Sequence, residues 1–210
     1  MPTLLITGFG PFPGAPFNPT VKLVRQLARL RRPALADVKI IGHVFETSYA
    51  AVDRDLPQLI AEHKPDALLM FGLHGRAKAI RIETRARNAL ALLPDVSGKV
   101  SRRGVIDGGG PNALVMPAPV PHLLQAAKAA RVPTRQSRDA GRYLCNYLCW
   151  RATGTMAQGG GPRLAAFVHV PPVRRNPRPR RPGRPPWTSA DLLRSGQNVL
   201  LAMVSAVNRA

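Results

Sequence analysis

The sequence predicts an α/β protein in which helices cover both faces of a mainly parallel sheet. Two observations point to this fold class. Apolar strand-like runs alternate with amphipathic helical segments from the first residues onward, a pattern typical of strand–helix–strand units. In addition, 210 residues, 45% of them hydrophobic, are enough to bury one sizeable core. Ligands of such sheets usually bind beyond the carboxyl ends of the strands.

The first half of the chain is predicted to fold in the order β-α-β-α-β, followed by one more strand. Continuous or alternating apolar residues indicate the strands, and apolar residues at helical spacing indicate the helices. Residues 92–119, rich in Gly, Pro and Val, are expected to be irregular. The predicted strands are 3–7, 38–45, 67–72 and 79–84, and the predicted helices are 21–30 and 49–63.

The second half continues the alternation and ends in a helix. Thr188 followed by Asp191 is the pattern of a capping box, which predicts where that last helix begins. The predicted helices are 120–130, 143–153 and 192–207, and the predicted strands are 132–136 and 163–170.

The chain is strongly basic, with 31 Lys and Arg against 11 Asp and Glu and a formal charge of +20. This excess favours a nucleic-acid or other anionic partner. Much of it lies in the Pro/Arg-rich residues 174–186, which are predicted to be a flexible loop within a single domain spanning 1–210. That loop lacks the interleaved aromatic residues on which single-stranded nucleic acids stack. A nucleic-acid partner is therefore the weaker interpretation.

No segment predicts export, membrane insertion or a bound metal. The first residues lack the basic leader and cleavage site of a signal peptide, and charges or prolines interrupt every apolar stretch before the roughly 18 to 20 residues that cross a bilayer. Two cysteines without Cys-x-x-Cys spacing do not predict a zinc site. We expect a cytoplasmic protein with no metal, no organic cofactor and no membrane partner.

Cys145 is a candidate nucleophile. It follows a loop containing Gly141 and lies near the predicted start of a helix, where partial positive charge and free N–H groups stabilise a thiolate. The alternative is a small buried side chain. Cys149, four positions on, shares a helix face with Cys145, and the rigid backbone disfavours a disulfide between them. We interpret Cys149 as a core residue.

His169 and Glu83 are candidates for the base and its orienting carboxylate. His169 lies at the end of a predicted apolar strand, and His74, in a glycine-flanked turn, is its rival. Glu83 ends another predicted strand, from which a carboxylate can accept the second imidazole N–H and fix the tautomer. The alternatives are a structural histidine and an ion pair of Glu83 with a neighbouring arginine, namely Arg81, Arg85 or Arg87.

The glycine-rich loop 8–14 offers two aromatic side chains. It lacks the Lys-Ser/Thr ending and the Gly-x-Gly-x-x-Gly spacing of phosphate-binding loops. Phe9 and Phe12 can form the walls of a small apolar pocket, or they can simply pack the loop.

Five segments and their separations over residues 3–171 form one pattern. They are Thr7-Gly-Phe-Gly-Pro-Phe12, Asn18-Pro19, Ile82-Glu83 with Asn88, Ala140-Gly-Arg-Tyr-Leu-Cys-Asn146 and Phe167-Val-His-Val-Pro171. Together they resemble pyroglutamyl peptidase I, also called pyrrolidone-carboxylate peptidase, a family of cysteine peptidases. The resemblance covers nearly the whole chain.

This resemblance implies a single three-layer α/β/α domain with a mainly parallel, mixed sheet, commonly assembled as a homotetramer. It implies a catalytic triad at Glu83, Cys145 and His169. It also implies an apolar pocket for the pyroglutamyl ring, with Asn18 as a supporting polar residue. The other pocket positions are Phe9, Phe12, Thr47, Leu93, Tyr143 and Leu144.

The implied activity is removal of an N-terminal pyroglutamyl group from peptides through a thioester acyl-enzyme. An uncharged lactam requires ring-sized apolar walls and amide hydrogen bonds rather than a carboxylate. We expect backbone N–H groups of Cys145 and of the turn residues Gly72, Leu73 and Gly75 to hold the oxyanion. That turn is shorter than in many members of the family. The alternatives are a catalytically silent member that acts as a binding protein and a basic nucleic-acid-associated protein.

Overall fold

The computed structural model of the protein describes residues 1–100, 104–174 and 187–209. Nearly all of the predicted Pro/Arg-rich loop, residues 175–186, lies outside the described residues. Strands and helices alternate as expected, with one short 3-10 helix in the described part, Pro33–Leu35. The strands are β1 (Thr3–Phe9), β2 (Lys39–Phe45), β3 (Ala67–Leu73), β4 (Ile80–Glu83), β5 (Arg85–Arg87), β6 (Ala113–Val115), β7 (Thr134–Ser137) and β8 (Leu164–Val170). The helices are α1 (Pro19–Ala28), α2 (Tyr49–His63), α3 (Val120–Lys128), α4 (Leu144–Ala157) and α5 (Ser189–Val207).

The central sheet has a reversal of strand order near its middle. In the described part of the chain its order is β2-β1-β3-β8-β4-β7, and all neighbours are parallel except β4 with β8. The chain moves from β1 to β2 on one side and then to β3 on the other, so the order reverses between β1 and β3. Open α/β sheets bind ligands beyond the strand ends at such a point.

Helices on both faces of the sheet complete a three-layer α/β/α arrangement. Helices α1, α3 and α5 pack on one face, which we call the α5 face. Helices α2 and α4 pack on the other, which we call the α4 face. The antiparallel ribbon of β5 and β6 joins the α4-face core through Ala86 and Leu114. The expected fold class is therefore confirmed.

Alternation along the strands decides which residues face α4. In β3, Phe71 lies in the α5-face core and Met70 in the α4-face core, and in β8 Phe167 also lies in the α4-face core. Residues two positions apart in a strand share a face. Gly72 and His169 therefore lie on the face that α4 covers, at the carboxyl ends of adjacent strands.

Two stretches differ from the prediction. Residues 92–119, predicted to be irregular, contain β6, which pairs with the equally unexpected β5. Both strands are only three residues long, and β5 has arginines at both ends, so neither is long enough to show a strand pattern in the sequence. The predicted helix 21–30 begins earlier, at Pro19, because the Asn18 side chain caps it and proline suits a first turn.

Most other boundaries lie within about one helical turn of their predicted positions. The predicted capping box is confirmed, since Thr188 and Asp191 each accept a hydrogen bond from the other's backbone N–H. None of the helices in residues 1–100, 104–174 and 187–209 combines the length and apolar character needed to cross a bilayer. The single domain over 1–210 stays a prediction.

Candidate active site

The structure brings His169 and Glu83 into direct contact. His169 Nδ1 lies 2.8 Å from Glu83 Oε1, and both side chains are almost fully buried. In the antiparallel pairing of β4 with β8, Glu83 is opposite Phe167, so it is the diagonal neighbour of His169 on the same face. Of the alternatives left open for Glu83, the structure shows the contact with histidine.

Glu83 lies deeper than a strand-end position suggests. Because β4 runs antiparallel to β8, the carboxyl end of β4 lies beside the middle of β8 rather than at the sheet edge where His169 lies. Glu83 is 0% exposed, and its Oε2 has no hydrogen-bond partner among the described residues. A buried carboxylate with one hydrogen-bonded oxygen is held firmly, and its charge is screened little by water.

Cys145 is the second residue of α4, as the sequence predicted. The helix begins at Leu144 without a side-chain cap from Tyr143, so its first N–H groups remain available at the end that carries partial positive charge. Cys145 is partly exposed, and its thiol lies close enough to the His169 side chain to raise the pKa of the imidazole. Glu83 already contacts Nδ1, which leaves Nε2 as the ring nitrogen for the thiol.

Gly72 makes room for this thiol. A Cβ atom built at position 72 would lie 2.7 Å from Cys145 Sγ and 2.6 Å from Phe167 Cζ. Only a glycine can stand there without displacing the nucleophile or the ring beneath it. Gly72 is also paired with His169 in the register of β3 and β8. The thiol, the imidazole and the β3 backbone therefore meet at one place on the sheet edge.

The environment of His169 favours its charged form. Burial lowers the pKa of His169, but the charge and hydrogen bonds of Cys145 and Glu83 more than offset this and raise the pKa to about 9. Imidazolium beside the thiol stabilises the thiolate, as in other activated cysteines.

His74 lies beside His169 without replacing it. The two rings meet edge to face with centroids 5.5 Å apart, and the His74 backbone N–H donates to the Val170 carbonyl. Burial lowers the pKa of His74, and the nearby Arg81 and His169 lower it further. His74 Nδ1 has no hydrogen-bond partner among the described residues, so no carboxylate orients this ring as Glu83 orients His169. This difference favours His169 over its rival.

Asn146 has a structural role that the sequence analysis missed. It is fully buried, accepts a hydrogen bond from the Arg87 N–H, and donates to the carbonyls of Arg87 and Ala89. These bonds fix the first turn of α4 against the end of β5. The available signal was an amide side chain next to the nucleophile in the sequence, but its hydrogen-bond partners, Arg87 and Ala89, lie far away in the chain.

Asn18 and Thr47, both predicted to line the pocket, hold the loop after β1. Asn18 Nδ2 and Thr47 Oγ1 both donate to the carbonyl of Gly10, at 3.1 and 3.0 Å. Asn18 also accepts from the backbone and the hydroxyl of Thr20. These contacts position the loop that carries Phe12, so in this structure both polar groups are already engaged within the protein.

The apolar residues predicted for the pocket differ in exposure. Phe9 is buried against Phe45 at a centroid distance of 5.8 Å, and Leu144 is 1% exposed in the α4-face core. Leu93 is 56% exposed, and the Tyr143 hydroxyl donates to the Pro94 carbonyl. Phe9 and Leu144 are therefore core residues of the α4 face, whereas Leu93 is open to solvent.

The sheet opens between β1 and β3 at its carboxyl edge. Their pairing ends at Thr7–Met70, whereas β1 stays paired with β2 to Phe9 and β3 stays paired with β8 to Leu73. Backbone groups of β3 beyond Met70 thus face a crevice rather than β1. Among the predicted oxyanion residues, Gly72 and Leu73 border this crevice and Gly75 lies in the following turn.

The described residues contain no group of three or more His, Cys, Asp or Glu side chains placed to hold a metal ion. What they do contain is a thiol at a helix N-terminus, an imidazole near it, and a buried carboxylate in contact with the imidazole. On an α/β sheet edge, this is the arrangement of a cysteine-type hydrolase.

Comparisons with known proteins place the chain within this class. The model of the pyroglutamyl peptidase family matches residues 2–192. The pyrrolidone-carboxylate peptidase of Pyrococcus furiosus is 32% identical over 169 residues, which are 80% of each chain. That of Mycobacterium tuberculosis is 32% identical over 176 residues, which cover 81% of this chain and 78% of the relative.

Solved structures of pyrrolidone carboxyl peptidases are similar to the whole fold. The pyrrolidone carboxyl peptidase from Thermococcus litoralis superimposes with a TM-score of 0.88 at 25% identity, covering all of this chain and 96% of the other. A mutant enzyme from Pyrococcus furiosus gives a TM-score of 0.85 at 26% identity, covering 98% and 99%. The protein belongs to the pyroglutamyl peptidase family. The family and the class of cysteine peptidase predicted from the sequence are confirmed.

Proposed function

We propose that this protein is a cysteine exopeptidase that removes the N-terminal pyroglutamyl group from peptides, with Cys145 as nucleophile, His169 as acid and base, and Glu83 orienting His169. The observation that carries the proposal is the 2.8 Å contact between His169 Nδ1 and the buried Glu83 Oε1, with the Cys145 thiol lying against Gly72, the residue paired with His169. Burying ionisable groups such as Glu83 and His169 costs free energy, and such groups cluster at functional sites.

In the resting state His169 carries a proton on both ring nitrogens, because its neighbours raise its pKa to about 9. Glu83 accepts the Nδ1–H and stabilises imidazolium, so Nε2–H points to Cys145. The thiolate also gains from the uncapped N-terminus of α4. The pair is therefore prepared for attack before a substrate arrives.

The thiolate attacks the carbonyl carbon of the pyroglutamyl residue, and an S–C bond forms. Negative charge moves to the carbonyl oxygen, which backbone N–H groups of Cys145 and of the β3 edge at Gly72 and Leu73 stabilise. His169 gives its proton to the leaving amine as the C–N bond breaks. The products of this step are a thioester on Cys145 and the shortened peptide.

Water completes the reaction. Neutral His169 takes a proton from a water molecule, which attacks the thioester, and the thiolate leaves as free pyroglutamate forms. Glu83 again stabilises the imidazolium that results. The cycle uses the side chains of this chain and needs no metal or organic cofactor.

Recognition of the lactam rests on apolar contact near Phe9, Phe12, Leu93, Tyr143 and Leu144. The loop that carries Phe12 is held by hydrogen bonds from Asn18 and Thr47 to the Gly10 carbonyl. An ordinary N-terminus bears a charged amine, which an apolar site rejects because its hydration would be lost. In this role Asn18 and Thr47 shape the pocket rather than contact the lactam.

The direct test is release of a fluorescent amine from a pyroglutamyl amide by the purified protein in reducing buffer, beside the matching prolyl amide. The prolyl compound has the same ring size without the lactam carbonyl and carries a charged amine. We expect turnover of the pyroglutamyl amide alone and its loss in Cys145→Ala. No turnover by a folded sample would favour the catalytically silent alternative.

We also propose that the protein works in the cytoplasm as a homotetramer. Both described cysteines are free thiols, which suits a reducing compartment. Leu92 and Val115 are exposed by 68% and 71%, as apolar residues at subunit contacts are in an isolated chain. Light scattering coupled to gel filtration tests this proposal, with an expected mass four times the 22.7 kDa of one chain. The mass of one chain would contradict it.

A further inference from the structure

An apolar cavity of about 280 Å³ lies at the carboxyl edge of the sheet, and the mechanism described above assigns no part of the substrate to it. Its walls come from three places: the loop after β1, the end of β3 with the turn that follows, and the segment after β8. Its lining includes Phe12, Ala15, Phe17, Leu73, Pro172 and Val173.

This cavity is close to both reacting groups. Leu73 directly follows Gly72, the residue against which the Cys145 thiol lies. Pro172 follows His169 by three positions on the segment leaving β8. A substrate bound at the thiol therefore needs to extend only a short way to reach the cavity.

The cavity and the predicted ring pocket lie on opposite faces of the sheet. Val173 belongs to the α5-face core and Phe17 packs against it, whereas Phe9 and Leu144 belong to the α4-face core. Phe12 is predicted to wall the ring pocket and also lines the cavity. With the pyroglutamyl ring on the α4 side of the thiol, the other side of the scissile bond points towards the cavity.

We propose that this cavity binds the side chain of the residue that follows the pyroglutamyl group and favours an apolar side chain there. The proposal rests on the proposed peptidase function and extends it to the leaving group. A cavity of this volume falls below the roughly 300 to 1,000 Å³ of pockets for whole ligands, so it suits a single side chain.

The chemistry of the walls sets the preference. None of the described residues that line the cavity carries an ionisable side chain. A lysine or aspartate side chain would lose hydration there without gaining a partner, whereas a leucine side chain would bury apolar surface. Because this contact lies on the leaving side, it should change kcat/KM between peptides that share the same pyroglutamyl group.

The experiment compares kcat/KM for three amidated dipeptides in which pyroglutamate is followed by Leu, Gly or Lys, with release of the free amine as the readout. Gly is the reference because it has no side chain for the cavity. For the wild-type protein we expect Leu to exceed Gly by about ten-fold, within the range that apolar pockets achieve, and Lys to fall below Gly.

Two variants of one lining residue test the location. Ala15→Trp fills the cavity from its wall, so the Leu-to-Gly ratio should fall to about one while the Gly peptide is still cleaved. Ala15→Asp places a carboxylate in the wall and should raise Lys above Leu. Ala61→Trp is the matched control, because Ala61 is exposed on α2 and does not line the cavity. It should keep the wild-type ratios.

The outcomes separate the two proposals. A wild-type Leu-to-Gly ratio near one, or a high ratio that both Ala15 variants leave unchanged, contradicts the subsite alone. If no peptide is cleaved, the proposed peptidase function fails and the subsite fails with it. Melting curves show whether each variant is folded, and the wild-type ratio stands as a test even if Ala15→Trp does not fold.

Discussion

Helix α4 carries two thiols four positions apart, and their surroundings give them different chemistry. Cys145 is in the first turn, partly exposed and close to His169, whose pKa it raises. Cys149 is 0% exposed in the α4-face core. Burial raises the pKa of the Cys149 thiol well above its usual value, and the charges of Cys145 and Glu83 raise it further. The position of a cysteine relative to the helix end and the imidazole, rather than the residue type, therefore makes it a nucleophile.

The largest expected effect separates the two thiols directly. Cys145→Ser should lower kcat for a pyroglutamyl amide by about 10⁴-fold or more, because a hydroxyl is not ionised by this imidazole. Cys149→Ser keeps the helix and the triad and should retain most of the activity. Steady-state kinetics on both variants, with melting curves as a check of folding, measure this. Equal loss in the two variants would remove Cys145 from its proposed role.

Glu83→Gln tests the support behind the base. Glutamine has nearly the same shape, but it no longer stabilises imidazolium and can present its NH₂ group to Nδ1. We expect kcat to fall by about 10²- to 10³-fold, less than for loss of the nucleophile, since removing the charge of a triad carboxylate costs up to about 10⁴-fold. A variant with wild-type kcat would show that the 2.8 Å contact is structural only.

Gly72→Ala tests the space around the nucleophile. The added methyl group would meet Cys145 Sγ at 2.7 Å and the Phe167 ring at 2.6 Å, so either the thiol or β3 has to move. We expect at least about a 10²-fold loss in kcat/KM, since small misplacements of reacting groups have effects of this size.

The matched control for Gly72→Ala is Gly154→Ala within α4. No atom lies within 4 Å of a Cβ built at Gly154, so activity should be unchanged and unfolding should become less favourable by up to about 1 kcal/mol. If Gly72→Ala behaved like this control, the thiol would not depend on the open backbone of β3.

The smallest expected effect is the pH dependence. The pKa of His169 is raised to about 9 from its ordinary value of 6.5, so the imidazolium that protonates the leaving amine is lost as the pH rises through about 9. We expect kcat/KM to fall above that pH. The free energy of folding that His169 gains from its neighbours is complete below about pH 6.5 and is lost as the pH rises from there through about 9. A rate that still rises beyond pH 9 would contradict this assignment.

The sequence was sufficient for the features that depend on local pattern. The β3 and β8 strands are continuous apolar runs and the α5 cap is a local motif, so these elements were predicted close to their observed positions. Cys145 and His169 were predictable as candidates because each lies near the end of an element. The joint role of Glu83, Cys145 and His169 came from the family resemblance, since Glu83 and His169 are 86 positions apart in the chain.

The features that escaped prediction depend on distant partners. The strands of the ribbon, β5 and β6, are three residues each, too short to show a pattern in the sequence. Gly72 was predicted as the end of a strand and as an oxyanion donor, but the sequence did not show that the Cys145 thiol lies against it. Asn18 was predicted as a supporting polar residue and Thr47 as a pocket residue, and the sequence did not show that both donate to the Gly10 carbonyl. Carbonyl acceptors of this kind leave no trace in the sequence, because every residue has one.

Alkylation tests most directly whether the pair of Glu83 and His169 activates Cys145 and leaves Cys149 inert. The folded protein is treated with iodoacetamide at about pH 7, and peptide fragmentation then gives the rate at each cysteine. The account predicts rapid modification of Cys145, none of Cys149 before unfolding, and a Cys145 rate reduced about 10-fold or more in His169→Ala. Equal rates at the two cysteines, or a Cys145 rate that His169→Ala leaves unchanged, would contradict it.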